Sequence, residues 1–185
     1  VPMSFETFVK TKPPFSIALD GYVKGASNSL WAESGLYVNF NHHEDVNRLA
    51  TRCTSAQVLI ALRQKLISGF KSNKNLKDEI NIYVNDCDQD VCLSYFLLKY
   101  SWRFQTHTEP IINKLVFIED MLDTCSGAYP FPEGMPAIKE VDWLFEPYTR
   151  FRDIGGLDKR SASDFEGVII DVNLRLSLYV NGQLQ

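Results

Sequence analysis

The sequence predicts an α/β fold, a mostly parallel doubly wound sheet flanked by helices. Three observations predict it. Short β-rich apolar runs alternate with longer stretches of helical spacing, the pattern of strand–helix–strand units. Four of those runs, residues 15–19, 36–40, 80–84 and 115–118, each end in a knot of groups able to bind a metal. The chain has 185 residues, 45% of them hydrophobic and 23% charged, which suits one globular domain able to bury a core. Residues 1–185 are therefore read as one domain, with a helical C-terminal appendage at 137–185.

The first run, residues 15–19, is read as a strand running into Asp20, and residues 21–29 as the loop that follows. The second strand, 36–40, runs into Asn41, His42, His43 and Glu44. Beyond it, Val46, Leu49, Ala50, Cys53, Ala56, Val58, Leu59, Ala61, Leu62 and Leu66 recur at helical spacing, predicting one helix or two consecutive ones within 45–68. Residues 71–77 are lysine-rich and polar, a solvated turn. The third strand, 80–84, leads into Asp86, Cys87, Asp88 and Asp90, then into an apolar helix over 91–100. Carboxylates at the start of that helix suit its dipole. The fourth run, 115–118, is read as a strand ending in Glu119, Asp120 and Asp123. Three prolines and two glycines make 126–136 irregular. Residues 137–151 and 161–181 are read as helices, although partial alternation from Ile169 to Val180 leaves strand open for the last.

A net charge of −4 argues against broad nucleic-acid binding, which favours a basic face. No run reaches the roughly 18 apolar residues of a membrane span, and no signal-peptide pattern is present. Cys53, Cys87, Cys92 and Cys125 show no CxxC pair and read as buried thiols of a reducing compartment. A cytoplasmic protein without a membrane partner is the expectation, with homo-oligomerisation open. His107, in a polar segment, is expected to be exposed.

In a parallel sheet the carboxyl ends of the strands share one edge, where ligands bind. Hard cations such as Mn²⁺ and Mg²⁺ take carboxylate oxygen, and manganese also accepts imidazole. Asp20, His42, His43, Asp86, Asp88, Asp90, Asp120 and Asp123 offer more ligands than two ions need, and two ions together generate a nucleophile and stabilise phosphoryl charge. Arg48 and Arg52, four residues apart on one helix face, suit bidentate phosphate contact, with salt bridges to surface carboxylates as their other reading. Asp20 as a turn residue and Asp88 as a helix cap likewise stay open. Zinc hydrolysis of amide or cyclic substrates ranks lower, since no HExxH pattern occurs.

Asn41-His42-His43 after a strand resembles the Asp-His-His signature of the DHH phosphoesterase superfamily. Asp88-x-Asp90 opening a helix is similar to its Asp-x-Asp motif, Asp123-Thr124 with Gly127 to its Asp-Thr-Gly motif, and Asp20-Gly21 to its lone aspartate. The resemblance implies a phosphohydrolase with two manganese or magnesium ions. It assigns Asp20, His42, Asp88, Asp90 and Asp123 to the metals, with Asp86 as a substitute ligand, and turns His43 toward the phosphate. Three departures accompany it. Asn41 replaces the signature's aspartate, the Asp-x-Asp element follows the histidines rather than preceding them, and Val84 stands where a histidine is expected. The chain is also short for the superfamily's second, substrate-gripping domain. The expected function is a metal-dependent hydrolase acting on a phosphoester or phosphoanhydride of a small molecule or short nucleotide, with His43, Arg48 and Arg52 as catalytic groups. The alternative is a catalytically degenerate regulatory domain that binds a nucleotide or metal, a reading that Asn41 supports.

Overall fold

The computed structural model describes residues 2–33, 35–67, 80–105, 108–125, 138–159 and 161–183. Strand β1 (Ser16–Leu19) is buried at all four positions, because it lies inside the sheet with a parallel neighbour on each side. In chain order the strands are β1, β2 (Asn28–Ala32), β3 (Gly35–Phe40) and β4 (Asn81–Tyr83). Their spatial order is β2-β3-β1-β4. Ser16 to Leu19 pair in register with Tyr37 to Phe40 of β3, and Ser16 to Ala18 with Asn81 to Tyr83 of β4. All three runs predicted as strands in this part of the chain therefore form the parallel core of the sheet.

The sheet is nevertheless mixed and open rather than purely parallel and doubly wound. β2 and β3 form an antiparallel hairpin, which adds an exposed edge strand whose first two residues, Asn28 and Ser29, fall at the end of the segment read as loop. The two faces are also covered unequally. One receives the short helix α1 (Phe5–Thr11), whose Phe8 packs with Ala18, Val23 and Tyr37. The other carries Ile17, Leu19, Leu36, Val38 and Phe40 into a large apolar cluster shared with the remaining helices.

Within that layer residues 45–67 form a 3₁₀ turn at Arg48–Ala50 and then α2 (Thr54–Arg63). Helix α3 (Gln89–Lys99) begins as expected, its Asp88 side chain capping the Val91 N–H. It is apolar nearly all round and buried accordingly, with Val91, Cys92, Leu93 and Leu97 fully enclosed. Each such leucine contributes about 2 kcal/mol by leaving water. A short α4 (Ser101–Phe104) follows.

The fourth apolar run is helix, not strand: residues 115–118 lie inside α5 (Pro110–Cys125). Ile112, Leu115, Val116 and Glu119 face inward while Phe117 is exposed, a helical spacing that four residues alone do not reveal. The C-terminal part comprises α6 (Ile138–Asp153), α7 (Gly156–Lys159) and α8 (Ala162–Val180), so the last segment is helical throughout. Leu144 and Phe145 of α6 and Val172 and Leu176 of α8 belong to the same apolar cluster as Ile17 of the sheet. No helix among the described residues is long and apolar enough to cross a membrane. The polar turn at 71–77, His107 and the proline-rich segment 126–136 lie outside the described residues.

Candidate metal centre

The chain leaves β1 for β3 on one side and later returns to β4 on the other. That switch opens a crevice beyond the carboxyl ends of the parallel strands, where α/β sheets receive ligands. Asp20 ends β1, Asn41 to His43 follow β3, and Asp86 to Asp90 follow β4. Asp20 turns back on itself with φ of 49°, a left-handed conformation that aspartate tolerates, and Gly21 continues it at 82°. At φ of 82° a side chain at position 21 would be strained, and its Cβ would sit 3.8 Å from the His43 ring.

His42 is the centre of the cluster. Its ring is fully buried, with Nε2 2.8 Å from Asp123 Oδ2, 3.4 Å from Asp20 Oδ1 and 3.7 Å from Asp90 Oδ2. Despite this crowding, neither ring nitrogen has a hydrogen-bond partner, and neither does Asp123 Oδ2. The short contact to Asp123 therefore lacks hydrogen-bond direction. His43, more exposed, brings its Nε2 to 2.7 Å from the same Asp20 oxygen. Two overlapping groups, Asp20–His42–His43 and His42–Asp90–Asp123, hold their ligand atoms within 4.8 Å of one another and could hold a metal ion. Hard divalent cations take carboxylate oxygen and imidazole nitrogen, and unpartnered buried atoms of those types fit such an ion.

The surroundings hold these ligands in place. Both oxygens of Asp90 accept backbone N–H bonds from the start of α2, Thr54 at 2.6 Å and Ser55 at 2.8 Å. The Thr54 hydroxyl donates to Asp20 Oδ1 at 3.0 Å. Cys53, at the N-cap of α2, offers no side-chain cap; its N–H instead donates to Asp120 Oδ1 at 2.7 Å. Two carboxylates from α3 and α5 thus satisfy the orphan N–H groups of a third helix, aided by its dipole.

Charge in the cluster is far out of balance. Burial opposes ionisation of Asp20, but His42 and His43 outweigh it and hold that carboxyl below its ordinary range. Burial would likewise lower His42, yet the Asp123 and Asp20 carboxylates raise it to about 10. Asp90 is pushed up to about 6 by burial and by Asp20 and Asp123. Asp88 is raised by burial, Asp20 and Asp90, and Glu119 by burial, Asp90 and Asp123. Packed carboxylates this close disfavour one another's charge until a cation joins them.

The structure divides the residues proposed from sequence. Asp20, His42, His43, Asp90 and Asp123 converge. Asp88 borders the same cleft but caps α3 through Val91, and Asp86 lies outside both groups, its Oδ1 accepting from Cys87 N at 2.6 Å. Asp120 is turned to α2 and Arg52. Arg48 lines the cleft with its guanidinium 2.9 Å from Asp123 Oδ1, whereas Arg52 pairs with Asp120 at 2.9 Å on another groove. The two arginines do not share a helix face, since Arg48 opens the 3₁₀ turn and α2 starts only at Thr54. Each forms a salt bridge to a carboxylate, their other reading, and both partners come from α5.

Asn41 does not face the cluster. Its amide nitrogen donates to Gly25 O at 2.8 Å and Val23 O at 3.3 Å, and its amide oxygen accepts from His43 N at 3.1 Å. It ties the loop after β1 to the histidine pair. Groups that sequence reasoning did not assign are Tyr148 and Arg152, which line the cleft from α6. The i,i+4 spacing of Glu119 and Asp123 on one helix face is the signal that would have found the first acidic face. Comparison of the chain with protein-family models, curated proteins and solved structures yields no match in any of the three.

Proposed function

We propose that the protein is a metal-dependent hydrolase of a phosphoester or phosphoanhydride bond in a small molecule or short nucleotide, using two Mn²⁺ or Mg²⁺ ions. The observation that carries the reading is a fully buried histidine with neither nitrogen bonded, set among three carboxylates from separate elements. An imidazole nitrogen has one lone pair, so His42 would serve a single ion, together with Asp90 and Asp123. Asp20 and His43 would hold the other. When bound, such ions supply positive charge for phosphoryl oxygens and a nucleophile near neutral pH.

The chain's own groups do the rest. The α2 N–H pair fixes Asp90, and Thr54 fixes Asp20. Arg48 lies at the rim, half exposed, where its guanidinium can exchange Asp123 for a phosphoryl oxygen. His43 is partly exposed and holds its Nε2 2.7 Å from Asp20 Oδ1. Of the residues that the likeness to the DHH superfamily assigns, Asp20, His42, His43, Asp90 and Asp123 converge while Asp88 caps α3, and Asn41 is committed to the loop carbonyls.

Metal analysis and Mn²⁺ titration of protein purified without chelator, followed by assays on bis(p-nitrophenyl) phosphate and inorganic pyrophosphate, test the proposal. Hydrolysis should require the ion, and Asp20→Asn and Asp90→Asn should each lose about 100-fold or more in turnover, the scale for removing one electrostatic contribution. Full metal-dependent activity in both variants would overturn the assignment. Tight Mn²⁺ binding with no turnover would instead favour the regulatory binding domain.

A further inference from the structure

We infer that the substrate carries a second anionic group beyond the one at the ions, and that Arg152 of α6 receives it. The inference rests on the metal-dependent reading above. The cleft encloses about 680 Å³, with Asp88, Asp90 and Asp123 among its lining groups and Tyr148 and Arg152 contributed by α6. A volume of that order suits a molecule of nucleotide size rather than a lone phosphate, since small-molecule pockets run from about 300 to 1,000 Å³.

Tyr148 and Arg152 lie four residues apart on α6 and so share one face of the helix. The Arg152 guanidinium carbon sits 5.7 Å from the centre of the Tyr148 ring, which steadies the planar group and leaves its N–H edge usable. Its ion-pair partner is the adjacent Asp153 at 3.4 Å, an exposed contact of poor geometry that a phosphate readily displaces. Arg48, the other arginine of the cleft, is already held by a carboxylate of the metal cluster. Arg152 is therefore a cation of the cleft that the metal cluster does not claim. Leu49, Leu122 and Val141 of the same lining offer an apolar surface for the body that carries the two adjacent anionic groups. Without the ions, the crowded carboxylates repel any anion, so this second contact gains value only in the metal-loaded protein.

The test uses the full chain saturated with Mn²⁺, and calorimetric binding of orthophosphate and of imidodiphosphate, whose bridging nitrogen resists hydrolysis. Imidodiphosphate should bind at least about tenfold more tightly than orthophosphate, the scale of one added charge-assisted contact. Arg152→Met should remove most of that preference while leaving Mn²⁺ and orthophosphate affinity unchanged. Arg152→Lys should fall between. Arg150→Met, on the same helix and outside the residues lining the cleft, should behave as wild type. An undiminished preference in Arg152→Met, or an equal loss for both anions, would overturn the inference while leaving the metal centre standing. Failure of the wild-type chain to bind Mn²⁺ would remove the metal centre and this inference together.

Discussion

Replacing Asn41 by aspartate restores the residue that the Asp-His-His signature calls for, and the structure predicts that the change damages the protein. The side chain is fully buried, with its amide nitrogen donating to the carbonyls of Gly25 and Val23. Asn41→Asp keeps the shape and the acceptor for His43 N–H, but turns a donor into an oxygen facing two carbonyl oxygens. Each carbonyl left without its donor costs about 1–3 kcal/mol, with the longer Val23 contact at the lower end. A buried, unpaired carboxylate adds to this or takes up a proton. Together the loss is about 3–6 kcal/mol, a large part of the roughly 5–15 kcal/mol that holds a domain folded. Urea unfolding at pH 7 and at pH 5 measures it. The introduced carboxyl has its folded pKa raised, so its penalty is small below about pH 4 and grows as pH rises through the folded value. A variant within about 1 kcal/mol of wild type at pH 7, the value of one ordinary hydrogen bond, would refute the clamp. So would a variant that binds Mn²⁺ more tightly, because position 41 would then belong to the metal cluster.

Other outcomes follow from the same geometry. Mn²⁺ uptake at pH 7 should release about one proton, because His42, raised to about 10, must lose its proton to become a ligand; calorimetry in buffers of different ionisation enthalpy reads the number, and heats independent of buffer would contradict it. Chelator-treated protein should be most stable at mildly acid pH. His42 has a raised folded pKa, so its contribution is full below 6.5 and lost as pH rises through about 10, and Asp90, raised to about 6, acts in the same direction. Asp20 is depressed, so its contribution is present above 3.8 and lost as pH falls below that value. Melting temperatures between pH 4 and pH 9 should therefore fall toward the alkaline end without metal, and a maximum at pH 8 would count against the coupling. Thr54→Val should weaken Mn²⁺ binding about tenfold by freeing Asp20 to turn, the usual scale for a group that orients a ligand; unchanged affinity would show that the hydroxyl has no such role.

The sequence showed the chemistry at strand ends more clearly than the chemistry on helices, for a physical reason. A parallel strand delivers whatever follows it to one edge of the sheet, so Asp20, His42 and Asp90 could be placed together from their position after apolar runs alone. Residues on a helix are placed by its rotation, which needs the helix to be recognised first. Residues 115–118 look like a strand in isolation; only the wider spacing of Ile112, Leu115, Val116 and Glu119 reveals α5. Asp123 reaches His42 from a helical face that it shares with Glu119, not from the end of a strand. The same rotation, one helix further on, brings Tyr148 and Arg152 to the cleft, and nothing in a list of metal-binding residue types points to them. Asn41 reverses the lesson: its position was legible and its role was not, because a signature residue can be replaced where the backbone it faces needs donors rather than charge. On the proposed reading, further substrate contacts belong on the cleft-facing positions of α5 and α6, where i,i+4 spacing carries acidic groups on one helix and an aromatic–guanidinium pair on the other.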